Sequence, residues 1–304
     1  MSYIKALKKL REAKQIKQKD MIPESNTHSA YSKIENGTNG LRLEQLENMF
    51  EVLEISPEEF FHMSYHDFGV DKVLRSIKKS IRNPHDTNLE KELLSNYYPV
   101  GISIENMKKT QLVYYVVLKN EFSTRRSDIP KLTPDEVNYI CSLIHNTTYY
   151  TQYDYTIAMN SLKYMNEKQI DHIIDCMFPL QDIEERLPFV INTAFCILTN
   201  AITYFIYNMN YKKAWSYIEI ADTLVQNTTG YYSKINLEYS KCVVKRFLEK
   251  DIKYIEQARY IIKVTRAIGD ELTANALEEE LNNLNTKADY YLDIDNYTSI
   301  PINE

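Results

Sequence analysis

Glycine and proline punctuate this chain so rarely that turns must be scarce and helices long. Its 304 residues include 6 Gly and 9 Pro, the two residues that most often mark turns and helix stops. The same scarcity excludes phosphate-cradling loops: neither GxGxxG nor GxxxxGK[ST] occurs. Hydrophobic residues make up 44% and charged residues 26%, an ordinary globular balance. A chain of this length carries a prior of about two domains.

The first 66 residues read as five short helices. Residues 2–14 form the first, capped by Ser2, with Ile4, Leu7 and Leu10 on one side and Lys5, Lys8, Lys9, Arg11 and Lys14 around the rest. A short segment, Gln18–Ile22, is stopped by Pro23. NTHSAYSKIENG at 26–37 reads as a helix with Thr27 as N-cap and Gly37 as left-handed terminator. Leu43, Leu46, Phe50 and Leu53 make a fourth amphipathic helix. Ser56-Pro57-Glu58-Glu59 opens a fifth, with Ser at N-cap, Pro at N1 and Glu at N3.

Charge is divided along this segment. Residues 1–42 hold nine bases against four acids, while residues 43–66 hold six acids and no Lys or Arg. A basic front on a chain of net charge −6 is a footprint for phosphate. In the 26–37 helix, Tyr31 and Ile34 share the packed face, and His28, Ser29, Ser32 and Lys33 point elsewhere. A buried seam behind polar side chains that reach base edges is what a helix–turn–helix needs.

Residues 67–85 read as a basic linker helix that ends before Pro84. Beyond it the pattern stays helical. Thr133 to Glu136 is another capping box, and Ile170, Ile173, Ile174 and Met177 recur at helical spacing. Further helices are expected at about 183–208, 211–227, 231–248, 251–268 and 270–285. The segments 202–224 and 243–270 each read as helix, short turn, helix. Ala214, Ala221 and Ala258 sit at close-packing positions beside Tyr211 and Tyr217. This resembles degenerate tetratricopeptide repeats. The tail 286–304 shows no clear period and is expected to be an extended arm.

Within 192–208, Thr193, Cys196, Asn200, Thr203, Tyr204 and Tyr207 fall within about a third of the helix circumference. That stripe is polar and aromatic rather than apolar. An Asn side chain both donates and accepts, so it can pair with a peptide bond of an extended ligand.

Three segments, LKKLREAKQIKQKDM (7–21), NTHSAYSKIENG and LEQLENMFEVLEISPEEFF (43–61), together resemble the phage-repressor-type helix–turn–helix. The resemblance implies phosphate contacts by Lys8, Arg11, Lys14 and Gln18, and base contacts by Thr27, His28, Ser29, Ser32 and Lys33. It also implies an internal ion pair between Arg11 and Glu35, which competes with a phosphate role for Arg11. Two positions depart from the pattern: His28 stands where a base-reading Arg or Gln is usual, and Tyr31 is larger than the usual Ile or Val.

Over roughly 1–290 the chain is similar to the Rgg-like, peptide-pheromone-responsive (RRNPP) regulators of Gram-positive bacteria, above all the pheromone receptors of conjugative plasmids. The segments that carry this are NTHSAYSKIE (26–35), YDYTIAMNSLKYMNEKQIDHIIDCMFPL (153–180), NAITYFIYNMNYKKAWSYI (200–218) and IIKVTRAIGDELTANALEEEL (261–281).

The implied organisation is all-α. A DNA-binding domain (1–66) is joined by the linker helix (67–85) to a repeat domain for peptide binding and dimerisation (86–285), followed by a C-terminal switching arm (286–304). The implied partners are a double-stranded DNA operator, a short hydrophobic signalling peptide, and a second copy of the chain as a homodimer or tetramer. Asn200 matches the asparagine that contacts ligand backbone. Asn192 lies on the adjoining face, with Thr193, Thr203, Tyr204 and Tyr207 completing the expected peptide contacts. The alternative is a helix–turn–helix repressor whose repeats serve only oligomerisation or a protein partner.

Other classes find little support. Carboxylates such as Glu184-Glu185 and Glu278–Glu280 sit in helical runs that read as solvated, and no Ser/His/Asp set can be chosen, so no catalytic site is expected. His62 and His66 are four apart but lack a third ligand, and neither metal nor cofactor is expected. Cys141, Cys176, Cys196 and Cys242 are far apart in sequence, with no CxxC, and read as buried free thiols in a reducing compartment. The charged N-terminus has no apolar signal segment, and no run approaches the 18 or so apolar residues of a membrane span. The expected location is the cytoplasm.

Overall fold

The computed structural model describes residues 3–21, 28–65, 69–82 and 86–286. Every regular element among them is helical. The chain groups into two compact units that divide between Tyr97 and Tyr98.

The first unit holds α1 (Tyr3–Ala13), a 3-10 turn (Gln18–Asp20), α2 (His28–Glu35), α3 (Leu43–Leu53), α4 (Pro57–Tyr65), α5 (Gly69–Arg82) and α6 (Thr87–Tyr97). Its core gathers Leu7 from α1, Tyr31 and Ile34 from α2, Met49 and Leu53 from α3 and Phe60 from α4. Aromatic edges lock α4 down: Phe50 and Phe60 lie 5.1 Å apart, and Tyr3 meets Phe61 edge-on at 5.9 Å. Ser56 caps α4 through its Oγ, which accepts from the Glu59 amide at 3.1 Å. Gly37 closes α2 with φ +73°, and the amides of Gly37 and Thr38 return to Ile34 and Lys33 carbonyls at 2.9 and 2.8 Å.

The linker helix is present as α5, with Val73 and Ile77 buried. α6 packs on α5 and groups with the first unit, whereas the sequence boundary at residue 86 assigns it to the larger domain. An amphipathic linker needs a partner for its apolar face, and α6 supplies one.

The second unit holds α7 (Lys109–Phe122), α8 (Pro134–His145), α9 (Gln152–Ser161), α10 (Glu167–Met177), α11 (Pro188–Tyr207), α12 (Tyr211–Leu224), α13 (Tyr231–Glu249), α14 (Lys253–Ala267) and α15 (Glu271–Thr286). α7, α9, α11 and α13 pack in sequence as one row. α8 pairs with α10, α12 with α11 and α14 with α13, and α15 closes on α14. The small residues sit where expected: Ala214, Ala221 and Ala258 have no exposed surface, and neither has Ala201, so paired helices approach closely. Between α11 and α12 the chain reverses through Met209 at φ +57°, and Asn210 Oδ1 caps α12 by accepting from the Lys213 amide at 3.3 Å. Thr133 and Glu136 form the expected reciprocal box on α8 at 3.3 and 2.7 Å.

Glu136 has a second role. The buried Lys119 of α7 reaches it at 2.8 Å, and Tyr115 also donates to it. Burial pushes the Glu136 carboxyl up, but the hydrogen bonds from Lys119, Tyr115 and the Thr133 amide outweigh it and hold the group below its ordinary value.

One expectation fails. α11 is a helix of 20 residues, long and apolar enough by length and composition to cross a membrane. Its apolar residues instead form the centre of the second unit. Ala194, Ile197, Leu198, Ala201, Ile202 and Phe205 are wholly buried among α9, α12 and α13. A helix enclosed by neighbours on several sides is rich in apolar residues on those sides, whatever the solvent outside.

Candidate functional site

In the first unit, α2 is anchored as its spacing implied. Tyr31 and Ile34 are each 2% exposed, Ser32 is half-buried and Lys33 is exposed. His28 and Ser29 fall in the first turn of the helix. Thr27 lies outside the described residues, as do the side chains of His28 and Ser29. Tyr31, the oversized residue of the pattern, is absorbed into the core. Burial and then the Glu35 charge push its phenol up to about 12 against the nearby Arg11 guanidinium, and its Oη makes no hydrogen bond of good geometry.

The basic residues divide into two groups. Lys8 and Lys14 are exposed on α1 and beyond its end, with Lys14 lying 3.5 Å from Glu54. Arg11 turns inward: its guanidinium donates to Glu35 at 2.9 and 3.2 Å and to the Ile16 carbonyl at 3.0 Å. Gln18 donates to the other Glu35 oxygen. Glu35 is therefore held from both sides within the unit. The fork of Arg11 is committed to that contact, which leaves Lys8 and Lys14 as the expected phosphate ligands that face solvent.

In the second unit, Thr193, Cys196, Asn200, Thr203, Tyr204 and Tyr207 are all half-buried, so they form one graded stripe along α11. The threonine hydroxyls donate locally, Thr193 to Phe189 O at 2.8 Å and Thr203 to Thr199 O at 3.0 Å. Asn192 stands apart. Its amide clasps Thr229, donating to Oγ1 at 2.7 Å and accepting from the backbone amide at 3.0 Å. It thereby ties α11 to the start of α13, where Gly230 sits at φ +80°.

The stripe extends beyond α11, onto residues that sequence reasoning missed. Tyr239 of α13 donates to Leu277 O of α15 at 3.0 Å. Tyr239 also shares a hydrogen bond with Glu280, a residue that feels Tyr207 of α11 and Tyr232 of α13 electrostatically. Glu280 is half-buried, not solvated as its acidic run suggested. Burial raises its carboxyl to about 7, with the Tyr239 hydrogen bond opposing. A tyrosine-lined carboxylate thus closes one end of the stripe. The run EEEL carries no sign of it in sequence, because only the i, i+3 phase relative to Leu277 turns Glu280 inward.

His62 is exposed and His66 lies outside the described residues. Three of the four cysteines are half-buried and only Cys242 is buried, so burial is shallower than the sequence implied.

Residues 7–60 match the family model described as Helix-turn-helix. No curated protein sequence matches the chain. Among solved structures, the SHP pheromone receptor Rgg2 of Streptococcus dysgalactiae superposes with a TM-score of 0.70 at 15% identity, covering 93% of this chain and 99% of that one. PrgX gives 0.71 at 21% identity, covering 95% and 96%. The PrgX/cCF10 complex gives 0.74 at 22%, covering 95% and 94%. Over nearly its whole length this chain, whose residues 7–60 match the helix–turn–helix model, has the all-α fold of the SHP pheromone receptor Rgg2 and of PrgX.

Proposed function

We propose that the chain is a cytoplasmic, DNA-binding transcription regulator. Its second unit binds a short hydrophobic signalling peptide, and binding shifts the arrangement of a homodimer and so its grip on an operator. The observation that carries this reading is the half-buried polar and aromatic stripe on α11, in a chain whose first unit is a helix–turn–helix and whose fold is that of pheromone receptors.

The proposed base contacts are Thr27, His28, Ser29, Ser32 and Lys33. Lys8 and Lys14 hold phosphate, with Arg11 and Gln18 supporting α2 from behind. The proposed peptide contacts are Asn200, Thr193, Thr203, Tyr204 and Tyr207, with Asn192 acting through its clasp on Thr229. The boundaries 1–66, 67–85, 86–285 and 286–304 divide these roles. Of the arm 286–304, Thr286 ends α15 and residues 287–304 lie outside the described residues. A peptide changes operator affinity only by the difference between its affinities for the two dimer arrangements. The regulator reading includes no chemical step, and nothing in the stripe assembles a nucleophile with a base.

The test uses purified full-length chain, its operator fragment and short apolar peptides. Peptide should change operator affinity, and Asn200→Ala should remove that change while DNA binding without peptide is kept. Unchanged peptide affinity in the variant would refute the groove assignment. If no peptide alters either melting temperature or DNA affinity, the repeats serve oligomerisation or a protein partner instead.

A further inference from the structure

Away from the stripe, α8 and α10 pack against each other and bring together residues that lie on separate helices. Each helix carries a one-turn pair: Cys141 and His145 on α8, His172 and Cys176 on α10. Residues four apart share a helix face, so each pair projects in one direction.

The ligating atoms of His145, His172 and Cys176 all lie within 4.8 Å of one another. The two imidazole rings approach to 5.1 Å at an interplanar angle of 33°. Cys176 Sγ is 3.7 Å from His172 Nε2. A tetrahedral zinc with bonds of about 2.3 Å to sulfur and about 2.05 Å to nitrogen sets a sulfur–nitrogen edge of about 3.6 Å. Cys141 lies one turn before His145 on α8, and its sulfur is not part of that close group. Tyr150 backs the cluster: its hydroxyl reaches the Ile144 carbonyl at 3.1 Å and also contacts the Cys176 sulfur. Such a second partner orients a metal-binding thiol. Cys141, His172 and Cys176 are half-buried while His145 is exposed, so the cluster is shielded on one side and open to an entering ion on the other.

We propose that His145, His172 and Cys176 form a zinc-class metal site that staples α8 to α10, with a solvent molecule in the fourth position. Two imidazoles with one thiolate are a donor set for a tetrahedral, borderline-soft divalent ion, not for Mg²⁺ or Ca²⁺. The imidazoles bind in the neutral form through their lone pairs. The Cys176 thiol loses its proton to solvent, so one Zn²⁺ displaces one proton and the site keeps a single net positive charge. The sequence, with no CxxC and no contiguous His/Cys run, carries no sign of such a site. Packing of α8 on α10 supplies the proximity instead.

The test is titration of full-length, chelator-stripped protein with Co²⁺, followed by displacement with Zn²⁺. Expected are the intense visible bands of tetrahedral cobalt and a near-ultraviolet thiolate charge-transfer band, saturating at about one ion per chain, and a higher melting temperature with Zn²⁺. His172→Ala and Cys176→Ser should each weaken affinity by at least about tenfold. His145→Ala, at an exposed position, should do the same without altering the metal-free melt. Cys141→Ser, outside the ligand set, should leave the charge-transfer intensity unchanged. A pale octahedral spectrum in the wild type, or bands unchanged by Cys176→Ser, would overturn the site. A charge-transfer intensity halved by Cys141→Ser would overturn its three-ligand form.

Discussion

The Glu35 carboxylate, 1% exposed at the end of α2, receives the Arg11 guanidinium from α1 at 2.9 Å and the Gln18 amide from the intervening 3-10 turn. One acidic side chain thus fixes α2 against the two elements that precede it. Removing it leaves a largely buried guanidinium with only the exposed Glu12 at 3.4 Å as counter-charge, and the loss of such a buried partner costs up to about 3–5 kcal/mol in comparable pairs. Glu35→Ala should therefore lower the unfolding free energy by about that much. In amide hydrogen exchange, the loss of protection should concentrate in residues 3–60.

Tyr31→Phe should act in the opposite direction. The Tyr31 hydroxyl is buried with no hydrogen bond of good geometry, and an unpaired buried polar group costs about 1–3 kcal/mol. Phenylalanine keeps the ring and discards that cost. The variant should unfold at a higher urea midpoint, with operator affinity unchanged.

DNA binding should separate the two kinds of basic residue. Removing one phosphate-binding cation lowers the slope of log affinity against log salt by about 0.9. Lys8→Ala and Lys14→Ala should each show that decrement with the melting temperature preserved. Arg11→Ala should lower the melting temperature first, because its fork serves Glu35 and Ile16. An Arg11 variant that melts normally but has a shallower salt slope would restore the phosphate role expected from sequence.

Glu280 makes stability depend on pH. Its carboxyl is raised to about 7 by burial, so the folded chain keeps a proton that the unfolded chain releases above the ordinary carboxylate range. Stability should therefore fall as pH rises toward about 7 and level off above it, by at most about 3 kcal/mol. Glu280→Gln should match the wild type at about pH 5 and exceed it at about pH 8 in urea melts. Equal pH dependence in both proteins would place the proton elsewhere.

Much of this was legible in sequence because helices announce themselves locally. Caps and stops at Gly37, Ser56 and Thr133 stand in the chain as they act in the fold. Spacing placed Tyr31 and Ile34 inside and grouped Thr193, Asn200, Thr203, Tyr204 and Tyr207 on one half-buried face. What depends on packing between helices was not legible. The turn of Glu280 toward Tyr239, the approach of His145 to His172 and the burial of Lys119 against Glu136 each join residues from different helices. Helical period says which residues share a face but not what that face meets. The same limit explains α11, whose apolar length is set by neighbours on three sides.

The shortness of α2 has an evolutionary consequence. Eight residues hold the helix by Tyr31, Ile34 and Glu35, while Ser32 and Lys33 stay outside the core. The outward positions can mutate without disturbing the anchoring three. A lineage could rewrite which operator it recognises one letter at a time while the domain folds as before, so target preference and stability would drift independently.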